Sequence, residues 1–490
     1  MFEQFNFAKD FHNVTTVHPV GLMALAMAIF AIMTVPRRFV LVPLIITACI
    51  IAPSQRIVIG GMDFTFLRVV TAVGWLRVMV RDEHRRFSLT IMDKVVIAWV
   101  TFSAAAYLLL WPNIGSIAFQ FGTAFDCIAT YFLVRMLVRD TSDIIGLARG
   151  AAILAVPVAV AMSFEFSSGY NMFSVFGGVP EQTLERYGRF RAQAAFAHPI
   201  IAGTFWAALI PIMLAGVRRT AGSIALTSAG VAASLVIVWC SSQSTPIMLV
   251  GVVIISACLF PIRWAMPWLR VGTLATIAML HLVMFAPVWH LFARMNIFAG
   301  STGWWRYLII DRFVNQWQEW ILIGTTRSPA WLVGNAFTDV TNQYVAEGIN
   351  GGIVKLALFL AILVLSFMSV GRAIRSRQDL PLAEVRSSGD ASRRWMAWCV
   401  GTMIAVHAAA YFATGYFGQL VMLHFLSFGL AASMPVVIGR PMARRRLVDA
   451  ESVPPEPCRA GAAPAAVPVA PVPGFIRGVG ASRPSLFRPV

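Results

Sequence analysis

Long apolar runs separated by short arginine-rich segments constrain this chain more than any other feature. Hydrophobic residues make up 58% of its 490 residues, and charged residues only 12%. The runs recur from about residue 18 to about 437, which leaves no room for a separate globular domain, and most of them are long enough to cross a bilayer. We therefore predict one polytopic membrane domain at 18–437, preceded by an N-terminal segment at 1–17. The predicted spans lie near residues 19–35, 39–53, 65–80, 92–111, 117–137, 143–163, 199–217, 223–239, 245–260, 270–287, 353–370, 396–414 and 417–437.

The arginines follow the odd-numbered spans. The net charge of +17 would suggest nucleic acid in a soluble protein. Here the cations occupy short loops between apolar runs, so the positive-inside rule puts those loops in the cytoplasm, and no nucleic-acid partner is expected. Membrane lipids are the expected contacts of these basic loops. The cations concerned include Arg37, Arg38, Arg81, Arg85, Arg86, Arg135, Arg139, Arg218, Arg219, Arg263, Arg270, Arg372 and Arg375.

This sidedness leaves two long segments on the outer side, at about 164–198 and 288–352. The predicted fold class is thus an all-α polytopic membrane protein with about 12–13 transmembrane helices and two large outer loops. The second run is short enough to be re-entrant, which accounts for the range. The first run has no basic leader and is interpreted as an uncleaved anchor. The Pro/Ala-rich tail, 438–490, is predicted to be disordered and cytoplasmic.

Several kinds of chemistry find no support in the sequence. The six cysteines contain no CxxC pair, so neither a disulfide framework nor a zinc site is predicted. No Walker phosphate loop, GxGxxG after a strand, HExxH or DxD pair is present. The sequence therefore predicts no cofactor and no metal, and it gives no indication of nucleotide hydrolysis.

The stretch "RYGRFRAQAAFAHPIIAG" at 186–203 places three arginines in the first outer loop, against the positive-inside pattern. They are either interfacial cations holding a helix end or an anion site. Guanidinium groups bind phosphate oxygens bidentately, and Gly188 lets the backbone bend between Arg186 and Arg189. His198 and a proline begin the next helix, whose free amides also favour an anion. We assign Arg186, Arg189 and Arg191 to anion binding, and His198 to an orienting or capping role.

The second outer loop contains "STGWWRYLIIDRF", which predicts an amphipathic helix at the membrane surface, together with Trp317 and Trp320. An aromatic belt with satisfied charges is the alternative interpretation of this segment. The functional interpretation has Arg306 facing the same anion as the first loop. Asp311 is one of the candidate general bases.

The segment "NAFTDVTNQYVAEGINGGIVKL" precedes the eleventh span. On a helix, Asp339, Asn342 and Gln343 would share a face and point into one cavity. Alternatively, Asp339 caps that helix, and Gly348, Gly351 and Gly352 form the break before the span. Within the spans, Asp126 is expected to neutralise Arg149 or Arg135, and "CSSQSTP" at 240–246 is a polar break.

Taken together, the arginine-rich loop running into "AFAHPIIAGTF", the break near 241–245, the "WWR" segment and "DVTNQYVAEGINGG" resemble the O-antigen ligase and polymerase superfamily. The resemblance covers roughly residues 60–435. It implies a metal-independent, inverting glycosyltransferase of the bacterial inner membrane with a periplasmic catalytic face. Its donor is a glycan on undecaprenyl pyrophosphate, whose diphosphate is held by arginines. The resemblance gives that role to Arg189 and Arg191, less securely to Arg186, and to Arg306 in the second loop.

One departure from the family pattern favours a polymerase. Ligases of this superfamily commonly show a His-Asn pair where this chain has Thr341-Asn342. We therefore expect an exopolysaccharide or O-antigen polymerase, with a chain-length regulator as a candidate partner. The expected base is Asp339, with Glu347 and Asp311 as alternatives, and Asn342 and Tyr344 are expected to orient the substrate.

Three other functions compete with a polymerase. An O-antigen ligase acting on lipid A-core is the nearest. A transporter of lipid-linked oligosaccharides would spread its cations through a central cavity and show repeated halves, which this sequence lacks. A glycosyltransferase of the cell-shape and division group would use an outer-loop carboxylate, but the order of the arginines fits it less well.

Overall fold

A computed structural model describes residues 14–84, 87–294, 303–331, 340–375 and 388–439. Residues 1–13 of the predicted N-terminal segment, Asp339, and the predicted tail from residue 440 onward lie outside the described residues. The described part is helical apart from two short antiparallel hairpins, β1–β2 (Arg56–Ile59 and Met62–Thr65) and β3–β4 (Glu185–Arg186 and Arg189–Phe190).

The helices follow the predicted spans closely, because apolar runs of this length satisfy their backbone groups internally when helical. Each of the thirteen predicted spans coincides with a helix. These helices are α1 (Pro19–Thr34), α2 (Val42–Ile50), α3 (Phe66–Val80), α4 (Ile91–Leu110), α5 (Ile114–Leu137), α6 (Thr141–Ser168), α7 (Pro199–Ala215), α8 (Ala221–Cys240), α9 (Ser244–Leu259), α10 (Met266–Val283), α14 (Gly352–Arg375), α15 (Ser388–Ala410) and α16 (Gln419–Gly439). Between α10 and α14, the described residues contain three further helices: α11 (Gly303–Asn315), α12 (Trp317–Trp320) and α13 (Gln343–Ile349).

Seven of the described helices are long and apolar enough to cross a membrane, and three shorter apolar helices accompany them. Large apolar side chains also cover the outside of the helical bundle, among them Ile114 at 86% exposure and Leu282 at 83%. Such an apolar exterior suits lipid rather than water. The chain is therefore an all-α polytopic membrane protein.

Helix α7 runs through the centre of the bundle. Almost all of its side chains are buried, including the large Phe205 and Trp206. It approaches the segment between α8 and α9 closely, since a Cβ on Gly203 would lie 2.6 Å from both the Ser241 hydroxyl and the Pro246 ring. This packing brings the break between α8 and α9 next to the first turn of α7.

Ion pairs tie the helices together at one end of the bundle. Arg37 binds Asp140 at 2.6 Å and Asp143 at 3.2 Å, which joins the end of α1 to the start of α6. Arg135, in the last turn of α5, binds Asp93 at 2.9 Å in the first turn of α4. The candidate site lies at the opposite end of the bundle, where α6 ends and α7 begins.

The expectation that Asp126 pairs with Arg149 or Arg135 is wrong. Asp126 accepts two hydrogen bonds from Arg68 on α3, at 2.8 and 2.7 Å. Asp126 and Arg135 are nine residues apart on one helix, so about 13 Å of helix axis separates them. The partner of Arg135 is Asp93 instead.

Candidate functional site

The three arginines of the first loop lie on and just after the β3–β4 hairpin. Tyr187 and Gly188 form its two-residue turn, both with positive φ (55° and 71°), and Arg186 pairs with Arg189 across it. Turns of this kind favour glycine at the second position, which agrees with the predicted bend at Gly188. Arg186 and Arg189 are exposed, and Arg186 lies over the Tyr187 ring at 5.3 Å.

Arg191 and His198 lie deeper in the loop than the hairpin arginines. Arg191 is half-buried; burial, and then the charge of Arg186, lower the pKa of its guanidinium. His198 caps α7, because its Nδ1 accepts a hydrogen bond from the Ile200 amide at 3.1 Å. Burial, followed by the charges of Arg191 and Arg186, lowers the pKa of His198 to about 4. The imidazole is therefore neutral near pH 7, and the predicted capping role is confirmed.

A buried carboxylate holds this loop in place. Glu165, in the last turn of α6, accepts hydrogen bonds from the Gln193 and Ala194 amides at 2.9 Å each and from the Thr183 hydroxyl at 3.0 Å. Its side chain is fully buried. The sequence reasoning missed Glu165, although a single acidic residue near the end of an apolar run is a recognisable signal. Asn171 adds a hydrogen bond to the Ala194 carbonyl at 2.9 Å.

The loop leads directly onto the polar break at 240–246. The Ala192 amide donates to the Cys240 carbonyl at 3.1 Å, and the Ser242 hydroxyl donates to the Phe190 carbonyl at 3.2 Å. Ser242 has a φ of 50°, a conformation that non-glycine residues rarely adopt and that is often found at functional sites. The residues on either side of Arg191 are thus hydrogen-bonded to the break.

Arg306 reaches the same break from the second loop. It lies on the buried face of α11, is 8% exposed, and donates from Nη2 to the Thr245 hydroxyl at 2.8 Å. Its Nε has no hydrogen-bond partner, and no carboxylate of the described residues forms an ion pair with it. Burial lowers the pKa of this guanidinium.

Two buried glutamine amides near the break also lack partners. Gln193 follows Ala192 in the loop, and Gln243 follows Ser242 in the break; the Nε2 atom of each is buried without a hydrogen-bond partner. Buried donors of this kind normally have acceptors. Together with Arg306, they make this junction rich in N–H groups and poor in acceptors, which suits a ligand with several anionic oxygens.

Helix α11 is amphipathic, as predicted. Its buried face carries Arg306, Ile309 and Phe313, whereas Arg312 is exposed. The helix ends at Asn315, however, so Trp317 and Trp320 are not part of it as predicted but form the separate short helix α12. Trp320 is buried and stacks on Phe313, with 3.9 Å between the ring centroids.

The candidate base Asp311 lies on the same helix and is half-buried. Its carboxylate accepts hydrogen bonds from Trp289 Nε1 at 3.2 Å and from the Asn315 amide at 3.0 Å. Each of its oxygens therefore has one partner. A carboxylate with lone pairs to spare can still accept a proton.

The predicted helical face shared by Asn342 and Gln343 is wrong, and so is the prediction that Asp339 caps their helix. Helix α13 begins only at Gln343, and Asn342 is its extended N-cap residue, whose side chain accepts from the Val345 amide at 3.1 Å. Asn342 therefore occupies the N-cap position of this helix, and Asp339 lies outside the described residues. The predicted glycine break before the eleventh span is confirmed, since Gly352 has a φ of 68° at the start of α14.

Tyr344 and Glu347 are engaged in packing contacts. The Tyr344 hydroxyl donates to the Ala408 carbonyl at 2.9 Å. Glu347 is buried; it accepts from Trp99 Nε1 at 3.1 Å and from the Gln343 amide at 2.7 Å, and it lies 3.6 Å from the Lys355 ammonium. These hydrogen bonds join Tyr344 and Glu347 to α4, α14 and α15, while Val345 and Ile349 of the same helix pack against Ile309 and Phe313 of α11.

Among the residues that the structure describes, no group of three or more His, Cys, Asp or Glu side chains could hold a metal ion. Comparison of the chain with protein-family models and with curated proteins finds no match to either.

Proposed function

We propose that this chain is a polysaccharide polymerase of the O-antigen ligase and polymerase superfamily. It transfers a glycan from undecaprenyl pyrophosphate to a sugar hydroxyl on the periplasmic face of a bacterial inner membrane. The product is an exopolysaccharide or O-antigen chain. The enzyme is an inverting, metal-independent glycosyltransferase, and a chain-length regulator is its expected partner.

One observation carries this proposal: a buried arginine, which has no acidic partner among the described residues, lies at the meeting point of two loops. Arg306 is bound to Thr245 of the break, and the residues flanking Arg191 are hydrogen-bonded to Cys240 and Ser242 of the same break. A buried cation is costly unless it is paired. A diphosphate supplies the missing charge and the missing acceptors.

The proposed topology has twelve to thirteen spans, with the loops at 164–198 and 288–352 on the periplasmic side. Support comes from the hydrogen bonds that link the first loop, the break and α11 at one end of the bundle. At the other end lie the arginines that precede or follow the helices, such as Arg37 and Arg135. This distribution agrees with the positive-inside rule.

The reaction is a displacement at the anomeric carbon. The acceptor oxygen forms the new bond to that carbon, the bond to the diphosphate oxygen breaks, and undecaprenyl pyrophosphate leaves with the electron pair. Arg306 and Arg191 stabilise the charge that develops on the leaving group, and fixed orientation of the two sugars supplies much of the remaining rate enhancement. The acceptor proton goes to a base, for which Asp339 remains the preferred candidate, and Asp311 and Glu347 are the alternatives within the described residues.

Thr341 favours polymerisation over ligation. The position that carries histidine in ligases of the superfamily is threonine here, and Asn342 beside it is committed to capping α13. A threonine hydroxyl is a poor base near pH 7. The acceptor is therefore expected to be the growing glycan rather than the lipid A-core.

The test is transfer by the full-length protein in liposomes, with a defined undecaprenyl-pyrophosphate oligosaccharide as the only sugar substrate. We expect longer glycans on the lipid and release of undecaprenyl pyrophosphate. Arg306→Ala should abolish both, whereas Arg312→Ala, on the exposed side of the same helix, should behave as wild type. Absence of transfer by the wild type, or equal activity of the two variants, would contradict the proposal.

A further inference from the structure

A lateral cavity lies between α3 and α5, on the side of the helical bundle. Its volume is about 420 Å³, which is within the range of pockets that hold small molecules. Residues of β2, α3 and α5 line it, so it is separate from the two long loops and the polar break that form the candidate site. Most of the lining is apolar and comes from Val69, Ala72 and Leu76 of α3 and from Ala118, Phe121 and Phe125 of α5.

The cavity opens sideways, toward the lipid that surrounds a membrane protein. Leu76 and Phe121 line the cavity and are 52% and 61% exposed, and Ile117 of α5 is 58% exposed. Between the two ends of the bundle, this surface faces hydrocarbon rather than water. A hydrocarbon chain can therefore enter the cavity from the membrane, whereas water would find few hydrogen-bond partners on these walls.

The dimensions of the cavity suit an acyl chain. The α3 residues that line it, from Arg68 to Leu76, cover about 12 Å of helix axis. The hydrocarbon of one membrane leaflet is about 15 Å thick. The lined part of α3 thus covers most of one leaflet, which is the depth that one acyl chain of a phospholipid reaches.

The charged residues of the cavity lie at its hairpin end, where β2 leads into α3. Arg68 donates to the two carboxylate oxygens of Asp126, at 2.8 and 2.7 Å, and to the Asp63 carbonyl. Gly122 allows the guanidinium to lie against α5, since a Cβ at this position would be 2.6 Å from Arg68 Nη1. The charge of Arg68 is therefore balanced within the protein, and a ligand beside it need not be anionic.

An ion pair at this end offers one donor and one acceptor to a ligand. Asp63, which lines the cavity, accepts from Arg56 Nη1 through Oδ2 at 2.7 Å. The other carboxylate oxygen, Oδ1, and the Nε of Arg56 are both buried, and neither has a hydrogen-bond partner in the described part of the chain. Buried polar atoms normally have partners. A ligand group at this position would therefore donate to Asp63 and accept from Arg56.

These two atoms fit a zwitterionic head group. A phosphate oxygen can accept from Arg56 Nε, and a primary ammonium can donate to Asp63 Oδ1, so that both contacts are charge-assisted. The pair of Arg56 and Asp63 is neutral as a whole, which favours a head group without net charge. The apolar cavity and the polar hairpin thus match the two parts of one phospholipid.

We propose that the cavity between α3 and α5 binds a phospholipid with a primary ammonium head group. One acyl chain occupies the cavity, the phosphate binds Arg56, and the ammonium binds Asp63. The lipid lies in the leaflet nearest the candidate site, because the residues before the hairpin contact the first loop: Ser54 donates to the Gly178 carbonyl at 2.6 Å, and Gln55 to the Phe176 carbonyl at 2.8 Å. This inference does not depend on the proposed glycosyl transfer.

The first test compares three lipids on the wild-type, full-length protein in detergent. Phosphatidylethanolamine, phosphatidylcholine and phosphatidylglycerol with the same acyl chains are titrated, and native mass spectrometry measures the affinity of the first bound copy. Phosphatidylcholine keeps the phosphate and the chains, but its quaternary ammonium has no N–H to donate. We therefore expect phosphatidylethanolamine to bind about tenfold more tightly than the other two lipids. Equal affinities, or displacement of phosphatidylethanolamine by an equimolar amount of undecaprenyl phosphate, would overturn the inference.

The second test uses variants to locate the lipid. Ala118→Trp fills the cavity and should weaken the binding of phosphatidylethanolamine, whereas Ala105→Trp, on the exposed side of α4 and outside the cavity lining, should bind as the wild type does. Asp63→Asn removes the carboxylate and should lower the affinity for phosphatidylethanolamine to that for phosphatidylcholine. If Ala118→Trp and Asp63→Asn both bind the lipids as the wild type does, the lipid is not in this cavity. The comparison of lipids on the wild type remains decisive even where a variant fails to fold.

Discussion

Arg135 and Arg306 are equally buried, at 8% exposure each, but their surroundings differ in kind. Arg135 donates from Nε and Nη2 to both oxygens of Asp93, at 2.9 and 3.0 Å, and Tyr131 donates to the same carboxylate. Arg306 has one neutral hydroxyl, a bare Nε and no acidic partner among the described residues. The fold satisfies the guanidinium of Arg135, whereas we propose that a ligand satisfies that of Arg306. The comparison teaches that burial alone does not distinguish the two arginines, whereas a carboxylate partner among the described residues does.

Arg135→Ala should have the largest effect on stability. The change leaves Asp93 as a fully buried carboxylate without a cation, which costs about 3–5 kcal/mol. Thermal unfolding in detergent measures the loss, and the exposed Arg219→Ala is the matched control. A loss below about 1 kcal/mol would mean that the pair does not complete the fold as described.

Arg306→Gln should give the reverse pattern. Stability should stay within about 1 kcal/mol of the wild type or rise, since an unpaired buried charge is removed. The rate of transfer should fall about 10- to 100-fold for each lost charge-assisted hydrogen bond. Arg306→Lys should recover little, because an ammonium lacks the planar fork. The unfolding midpoint and the initial rate of transfer are measured on the same variant. If Arg306→Gln is unstable yet active, the contrast with Arg135 does not hold.

Arg191→Ala should weaken donor binding more than Arg189→Ala. Arg191 is half-buried and flanked by the contacts to the break, whereas Arg189 is on the exposed hairpin. Charge-assisted contacts strengthen where water is excluded, so we expect a loss of about 1.5–3 kcal/mol for Arg191 and less for Arg189. Titration with undecaprenyl pyrophosphate in detergent gives both affinities. Equal losses would indicate that depth in the loop does not matter.

Glu165→Gln tests whether the hydrogen bonds that Glu165 accepts hold the loop of Arg191 in the conformation that binds the donor. The amide can replace only one of the two carboxylate oxygens that accept from Thr183, Gln193 and Ala194. We expect a loss of about 1–3 kcal/mol in stability and a matching loss of donor affinity. Exposed Glu185→Gln, in the same loop, serves as control. Unchanged affinity in the destabilised variant would separate the loop from the site.

His198→Asn should have an effect that is visible only in the pH dependence of stability. The folded pKa of His198, about 4, lies below its ordinary value of 6.5. The unfolded chain therefore binds the proton first, and stability contributed by neutral His198 is lost as the pH falls from about 6.5 to 4. Asparagine also caps helices, so the variant should lose about 1–3 kcal/mol less than the wild type over this range. Parallel stability curves would rule out the depressed pKa.

The sequence allowed the helices to be predicted well, because a lipid-length apolar run has few alternatives to a helix. It also allowed the polar break at 240–246, the bend at Gly188 and the amphipathic α11 to be identified, since each is a local pattern. Pairings between helices were not predictable. Asp126 pairs with Arg68 rather than with Arg135, because α3 packs against α5.

The site shows the same division. Arg191 and Arg306 could be singled out from the sequence because they are cations in segments that are predicted to lie on the outer side. That the neighbours of Arg191 and the side chain of Arg306 contact the same break could not be predicted, since 115 residues separate the two arginines. The contribution of Glu165 was likewise hidden, because it depends on the Gln193 and Ala194 amides, which only the fold brings to it. Local patterns can therefore be predicted from the sequence, whereas contacts between residues that are distant in the chain cannot.

A structure of the full-length protein with undecaprenyl pyrophosphate, determined by electron cryomicroscopy, tests the central claim most directly. We predict diphosphate density at the break, with Arg306 and Arg191 both within about 3 Å of its oxygens. Density held by only one of these arginines, or bound away from Cys240–Pro246, would contradict the account.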